Sequence, residues 1–238
     1  MEERAIGERF LTAAGGRIGE ATELLGILVN LDTCSRETVA LDRASRWIED
    51  QLRTLDFDVE RAVSGSFGPT LIGRKSGRGK LRILLLGHYD TVFEPGEPTR
   101  RPFKIEGTRA YGPGVADMKG GVITLWEAVR CLKDIGWDNA KSITVIHNAD
   151  EEITSSSSRQ SIEATARVAY LCLVFEPGRP DGSIVIGRKS LAWASRDPPT
   201  SLVLRTAARH GSAPGSSTIQ AATTRPSGTR WWFFQKGF

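Results

Sequence analysis

The apolar positions of this chain change period several times, and those changes divide it into helix-like and strand-like pieces. Between Ile18 and Leu31, the residues Leu24, Leu25, Ile27, Leu28 and Leu31 fall on one helical face. Asp32-Thr33-Cys34-Ser35 then interrupts the run with turn and capping residues. A second helix is predicted over Thr38–Leu55, where Ala44, Trp47, Ile48, Leu52 and Leu55 keep the same spacing. Strand-like runs follow at Phe57–Val63, Thr70–Gly73 and Leu81–Leu86. The last is short and almost entirely apolar, as suits a strand buried on both faces. Val122, Leu125, Trp126, Val129 and Leu132 predict a helix over Asp117–Ile135, with Gly136 at its C-terminus. Ser142–Ile146 reads as a strand, Ser155–Thr165 as a helix and Val168–Phe175 as another core strand. Strands alternating with helices predict an α/β domain whose mostly parallel central sheet is flanked by helices.

Ligands in such folds bind beyond the carboxyl ends of the strands. Three of the predicted strands end in ionisable groups: His88-Tyr89-Asp90-Thr91, Asp150-Glu151-Glu152 and Phe175-Glu176-Pro177. Between them Gly112-Pro113-Gly114-Val115-Ala116-Asp117 leads into a helix, with glycines that let the backbone pass close to a site. So many carboxylates cannot share one pocket ionised unless cations neutralise them. One histidine among acids suits Zn²⁺ or a similar divalent ion, and a shared carboxylate can bridge two. In His88-x-Asp90 the period of two puts both side chains on one side of a strand, so Asp90 can orient the imidazole that binds metal. Adjacent Glu151 and Glu152 diverge, leaving one as ligand and either one as general base for hydrolysis. His147, inside a strand, reads as a structural hydrogen-bonding residue. Other site chemistries fit less well. Gly112-x-Gly114 lacks a dinucleotide loop's third glycine and preceding apolar strand, no Walker loop is present, and Ser155–Ser158 has no nucleophile-elbow context. A Mg²⁺ phosphoryl-transfer site comes second, because the histidine and the missing phosphate loop count against it.

Composition changes this picture in one place. The 238 residues carry 32 Lys plus Arg against 28 Asp plus Glu, and the isoelectric point is about 9.1. The excess is local: residues 194–238 hold six basic side chains and one acid, a net +5, while the other 193 hold 26 basic and 27 acidic groups, a net −1. That tail is rich in Ser, Thr, Pro and Gly, shows no period beyond about Leu204 and ends in Trp231-Trp232-Phe233-Phe234. It reads as a poorly ordered appendage to a domain spanning 1–193 rather than as a nucleic-acid or membrane arm. The cysteines Cys34, Cys131 and Cys172 form no CxxC pair and suit a reducing compartment. No run approaches ~18 apolar residues and no secretory signal is visible, so a cytoplasmic protein is expected.

The segments GHYDTV (Gly87–Val92), RAYGPGVADMKGG (Arg109–Gly121), NADEE (Asn148–Glu152) and FEPGRPDG (Phe175–Gly182) resemble, in order and spacing, the zinc-dependent exopeptidase and deacylase family. That family includes glutamate carboxypeptidase, acetylornithine deacetylase and succinyl-diaminopimelate desuccinylase, and the glutamate carboxypeptidase branch is the most similar. The resemblance implies a di-zinc amidohydrolase acting on small peptides or N-acyl amino acids, with Co²⁺ or Mn²⁺ as alternative metals. It implies that His88, a bridging Asp117 and Glu176 hold one ion. Asp117 and Glu152 would hold the other, together with a histidine from far downstream. Glu151 would be the general base and Asp90 would orient His88. The family's catalytic domain is interrupted by a smaller lid domain that mediates homodimerisation, and little of that lid is present here. Thr154 and Ser190 stand where the family usually has glycine, the first predicting strain in a turn and the second an altered lid hinge. The motif resemblance stops near Trp193, and His210 resembles the lid's substrate-binding histidine in a broken surround. The expectation is a truncated or frame-disrupted relative with one complete metal site. It would be either a working hydrolase or a non-catalytic relative that keeps that ion.

Overall fold

The computed structural model describes residues 2–63, 65–178, 185 and 230–233. Three helices open the chain, α1 (Glu2–Gly16), α2 (Ile18–Asn30) and α3 (Thr38–Thr54). Strands β1 (Asp58–Ala62), β2 (Thr70–Ser76) and β3 (Leu81–His88) follow. A short helix α4 (Glu97–Arg100) and a hairpin of β4 (Lys104–Glu106) with β5 (Arg109–Tyr111) lead to α5 (Gly120–Asp134). Then come β6 (Ala140–Asn148), α6 (Arg159–Val168), β7 (Leu171–Val174) and β8 (Arg230–Phe233). The main sheet runs β1-β2-β6-β3-β7-β8. Its β6–β3, β3–β7 and β7–β8 pairs are parallel, and only the β1–β2–β6 side is antiparallel. The expected α/β architecture is therefore present, with a mixed sheet that is parallel where β3, β6 and β7 end together.

Alternation along the strands explains how one sheet builds two cores. Leu71, Leu85 and Val145 point to one face, where they pack with Leu28 of α2, Leu41, Ile48 and Leu52 of α3, and Val122, Leu125 and Trp126 of α5. Their neighbours Ile72, Leu84 and Ile146 point to the other face, against Ile162 and Ala166 of α6. His88 and Asn148 stand directly opposite one another as the last paired residues of β3 and β6. The backbone N–H of Phe175, just past β7, donates to the Leu86 carbonyl. The packing thus brings three strand ends to one edge.

Several boundaries differ from the pattern-based expectation, each for a local reason. The helix predicted from Asp117 begins only at Gly120, because Val115–Lys119 forms an irregular turn in which Asp117 (φ −120°, ψ 99°) and Met118 (φ −128°, ψ 33°) leave helical geometry. The helix predicted from Ser155 begins at Arg159, because the serines before it are used as hydrogen-bond donors. Helix α1 had no strong apolar stripe to reveal it. It is joined to the body through Arg17, whose guanidinium reaches Glu127 (2.5 Å), Glu20 (2.6 Å) and Asp134 (3.2 Å). Strand β8 falls inside the segment expected to lack strand period, at the edge of the sheet. The remainder of 194–238, with His210, and also Ser190, lies outside the described residues. Among the described residues no helix is long and apolar enough to cross a membrane.

Two positions, one in the first turn of α5 and one in the turn after β6, are under opposite constraints. Gly121 lies so close to the end of β7 that a Cβ there would sit 1.8 Å from the Phe175 carbonyl oxygen. We predict that Gly121→Ala lowers the unfolding free energy by about 3 kcal/mol in urea titration, the overpacking having no side chain to push aside. Thr154, by contrast, is a β-branched residue held at φ +83°, in accord with the strain expected at this position. That conformation costs about 1–3 kcal/mol, and glycine returns about 0.5–1 kcal/mol of it as chain entropy. Thr154→Gly is therefore predicted to stabilise the fold by about 1 kcal/mol, and a lowered urea midpoint would contradict the strain.

Candidate active site

His88 ends β3 with its side chain buried at 1% exposure. Its two ring nitrogens face different partners. Nδ1 lies 3.1 Å from the Asp90 carbonyl oxygen and 3.3 Å from Asp90 Oδ1. Nε2 lies 3.2 Å from Asp117 Oδ1, 3.6 Å from Glu176 Oε1 and 3.8 Å from Glu151 Oε2. Each carboxylate comes from a different segment: Asp117 from the turn before α5, Glu151 from the end of β6, Glu176 from the end of β7.

Asp90 is fully buried, and its hydrogen bonds explain why these segments meet. Its Oδ1 accepts from the backbone N–H of Glu151 (3.3 Å), and its Oδ2 from the N–H of Glu152 (3.3 Å) and the Ser35 hydroxyl (2.7 Å). One carboxylate therefore ties the imidazole to the backbone that carries the Glu151-Glu152 pair. Ser35 is itself placed by pairing with Thr91, its N–H donating to the Thr91 carbonyl at 3.1 Å. In the sequence it read only as part of a capping turn; nothing at that level linked it to Asp90.

Asp150 shows the other use of a buried acid. Its carboxylate accepts from Ser158 Oγ (2.6 Å), the Ser157 N–H (2.7 Å), Ser157 Oγ (2.9 Å), Asn148 Nδ2 (3.2 Å) and the Ser158 N–H (3.2 Å). Burial pushes its pKa up, but those donors outweigh burial and hold it below the ordinary value. The serine run thus serves to seat an acid that faces away from the histidine cluster. His147 is fully buried and accepts a hydrogen bond from Trp126 Nε1 (3.0 Å), and burial lowers its pKa to about 4. It is a core residue.

The turn bearing Asp117 is fixed from two sides. Gly114 enters it at φ +72°, where a Cβ would meet Thr91 Cγ2 at 2.6 Å. Lys119 leaves it fully buried, its ammonium donating to the Leu31 carbonyl (2.9 Å) just past α2, with the Val29 carbonyl at 3.5 Å. Burial depresses the Lys119 pKa to about 7, partly opposed by Asp32. Nothing in the sequence pattern singles out this anchor, because the partners of Lys119 are carbonyls about ninety residues away.

The electrostatics of the cluster favour positive charge. Burial opposes protonation of His88, yet Asp117, Asp90 and Glu176 override it and hold the imidazole well above its usual pKa. Burial also pushes Glu152 up to about 7, with Asp117, Glu151 and Asp90 adding to the rise and His88 opposing it. Protons on these groups balance an excess of carboxylates, which is the task a divalent cation performs in such a cluster. Two sets of ligand atoms lie within 4.8 Å of one another, His88–Glu151–Glu176 and His88–Asp117–Glu152. Imidazole nitrogen with carboxylate oxygens is a donor set for a divalent metal, and the oriented Nδ1 leaves Nε2 to bind it. All six expected site residues, His88, Asp90, Asp117, Glu151, Glu152 and Glu176, come together at this edge.

Comparison with known proteins identifies the family. The model of Peptidase family M20/M25/M40 matches residues 84–234, well over half the chain, and continues past Trp193. Carboxypeptidase G2 of Pseudomonas sp. (strain RS-16) is 36% identical over 169 residues, covering 70% of this chain and 41% of the relative. Acetylornithine deacetylase of Erwinia tasmaniensis is 32% identical over 164 residues, covering 65% and 42%. The chain therefore spans about two-fifths of the length of the curated relatives it matches. Among solved structures, the M20 family metallo-carboxypeptidase Sso-CP2 from Sulfolobus solfataricus superposes with a TM-score of 0.64 at 21% identity, over 74% of this chain and 42% of that one. Human carnosine dipeptidase 1 gives 0.61 at 18% identity, over 70% and 40%; both likenesses are of fold. With the histidine–carboxylate cluster inside the matched region, the chain belongs to Peptidase family M20/M25/M40.

Proposed function

We propose that this chain carries the catalytic part of a zinc-dependent amide hydrolase acting on small peptides or N-acyl amino acids. The observation that supports the reading best is His88 Nε2 within 3.2–3.8 Å of Asp117, Glu176 and Glu151, backed on its other nitrogen by Asp90. His88, Asp117 and Glu176 would hold one ion, and Asp117 with Glu152 would contribute to a second. When bound, such ions supply Lewis acidity, polarising the scissile carbonyl and making water a better nucleophile. Glu151 is the general base. Its carboxylate is half-exposed at the cleft, where it can take a proton from the attacking water and return it to the leaving amine. Asp90 holds the His88 Nδ1 proton and so keeps Nε2 free for the ion. The free, buried cysteines Cys34, Cys131 and Cys172 favour a cytoplasmic setting.

A second reading has its own support. Among the described residues the second ion finds Asp117 and Glu152 and would have to share His88 with the first, so on this reading the chain holds one ion tightly and turns over slowly or not at all. Metal analysis combined with an N-acyl glutamate assay separates the two. Two zinc ions per chain with hydrolysis is the outcome for the working enzyme; one ion without turnover supports the second reading. In the working enzyme Glu151→Gln is predicted to cut kcat by at least about 100-fold while zinc content stays unchanged, whereas Glu152→Gln lowers zinc content. Undiminished turnover in Glu151→Gln would remove it as the base.

Metal uptake is also predicted to release protons, because His88 and Glu152 both carry raised pKa values in the metal-free cluster. Near pH 6 both are protonated and must be emptied, roughly one to two protons in total. Above the raised values little is released, so apparent zinc affinity climbs with pH through the neutral range. Titration calorimetry in buffers of different ionisation enthalpy measures this directly. A binding heat independent of buffer would contradict it.

A further inference from the structure

On the buried side of the His88 cluster stands Met118, a fully buried side chain that the chemistry above does not use. Resting on the metal-dependent reading above, we infer that Met118 is a positioning residue whose thioether sulfur fixes the Asp117 turn against the end of β3. Three observations support it. First, Met118 Sδ accepts a hydrogen bond from the backbone N–H of His88 at 3.1 Å. Second, that N–H lies past the end of a ladder. The β3–β7 pairing stops at Leu86–Val174, with the Phe175 N–H donating to the Leu86 carbonyl. On the other side of β3 the Tyr89 N–H donates to the Asn148 carbonyl. Alternation along the strand therefore turns the His88 N–H toward β7, where the sulfur takes the place of the next strand carbonyl. Third, the Met118 methyl is held between two glycines. A Cβ at Gly87 would meet Met118 Cε at 2.8 Å, and one at Gly121 would meet it at 3.1 Å. The side chain is gripped between β3 and the first turn of α5.

The consequence follows from which residues these are. Met118 comes directly after Asp117, whose Oδ1 lies 3.2 Å from His88 Nε2. Two successive residues of one turn thus engage one histidine at both ends, the carboxylate at its ring and the thioether at its backbone. Asp117 sits on an irregular turn and its side chain is 58% exposed, so its distance from the imidazole depends on what holds that turn. Lys119 ties the turn to the end of α2, and Met118 ties it to His88 itself. A thioether is a weak acceptor, but a buried N–H deprived of its acceptor is costly, so the two segments stay in register. The sulfur acts through His88 and Asp117 rather than on an ion. Groups that orient ligands in this way typically contribute about 10–100-fold to metal affinity.

Met1 and Met118 are the chain's two methionines, so norleucine in place of methionine exchanges the Met118 sulfur for a methylene at nearly constant shape. The full chain carrying norleucine is predicted to bind Zn²⁺ about tenfold more weakly than the native chain, measured by competition with a chromophoric chelator. Selenomethionine, which keeps an acceptor at that position, should restore most of the affinity. Ile48→Val, a core change on α3, should lower the urea midpoint yet leave zinc affinity unchanged, which separates positioning from a general loss of stability. On the native fold alone, methionine labelled with ¹³C at its methyl should give a Met118 signal, assigned with Met118→Leu, that shifts when Zn²⁺ is added. Native zinc affinity in the norleucine chain, an equal loss in Ile48→Val, or a Met118 signal unmoved by Zn²⁺ overturns the inference while the metal-dependent reading stands. A native chain that takes up no zinc overturns that reading, and this inference with it.

Discussion

Everything at this site depends on a buried negative charge, the carboxylate of Asp90. It lies fully out of water and accepts from Ser35 and from the backbone N–H groups of Glu151 and Glu152, while facing Nδ1 of His88. A buried carboxylate is stable only when its lone pairs are used, so these contacts are mutually required. They lock the end of β3 to the end of β6, and the parallel β3–β7 pairing brings Glu176 alongside. The site is thus a consequence of satisfying one acid inside the fold.

Around that support the balance of charge is deliberately unfavourable without cations. Asp150 shows what the chain does when it intends an acid to be structural: five hydrogen bonds from serines and an asparagine hold its pKa down. Glu152 has its pKa pushed upward by burial and by the neighbouring acids instead. Two acids two residues apart therefore have opposite electrostatics. The difference separates the scaffold acid Asp150 from the candidate metal ligand Glu152 more sharply than residue type does.

The sequence made the strand ends legible because period and chemistry coincide there. Apolar Leu81–Leu86 runs straight into His88 and Asp90, and Ser142–Ile146 into Asp150-Glu151-Glu152, so topology alone predicts their meeting. What stayed hidden depends on contacts between distant residues. Ser35 reaches Asp90 only because Thr33 and Thr91 run side by side, and Lys119 matters only because α2 ends above it. Helix α1 lacks an apolar stripe and is joined through the charges around Arg17, which no periodicity records. Boundaries slipped where side chains displaced backbone preference, at the Asp117 turn and at the serines before α6.

On the proposed reading, this cluster is neutralised by a divalent ion held on His88 Nε2. Anomalous diffraction at the zinc absorption edge, from crystals grown with Zn²⁺, tests it most directly. The expected result is a peak about 2.0–2.2 Å from His88 Nε2 and in contact with carboxylate oxygens of Asp117 and Glu176, with Asp90 still on Nδ1. A cluster without a peak, its His88 ring bonded only to the surrounding carboxylates, would contradict it.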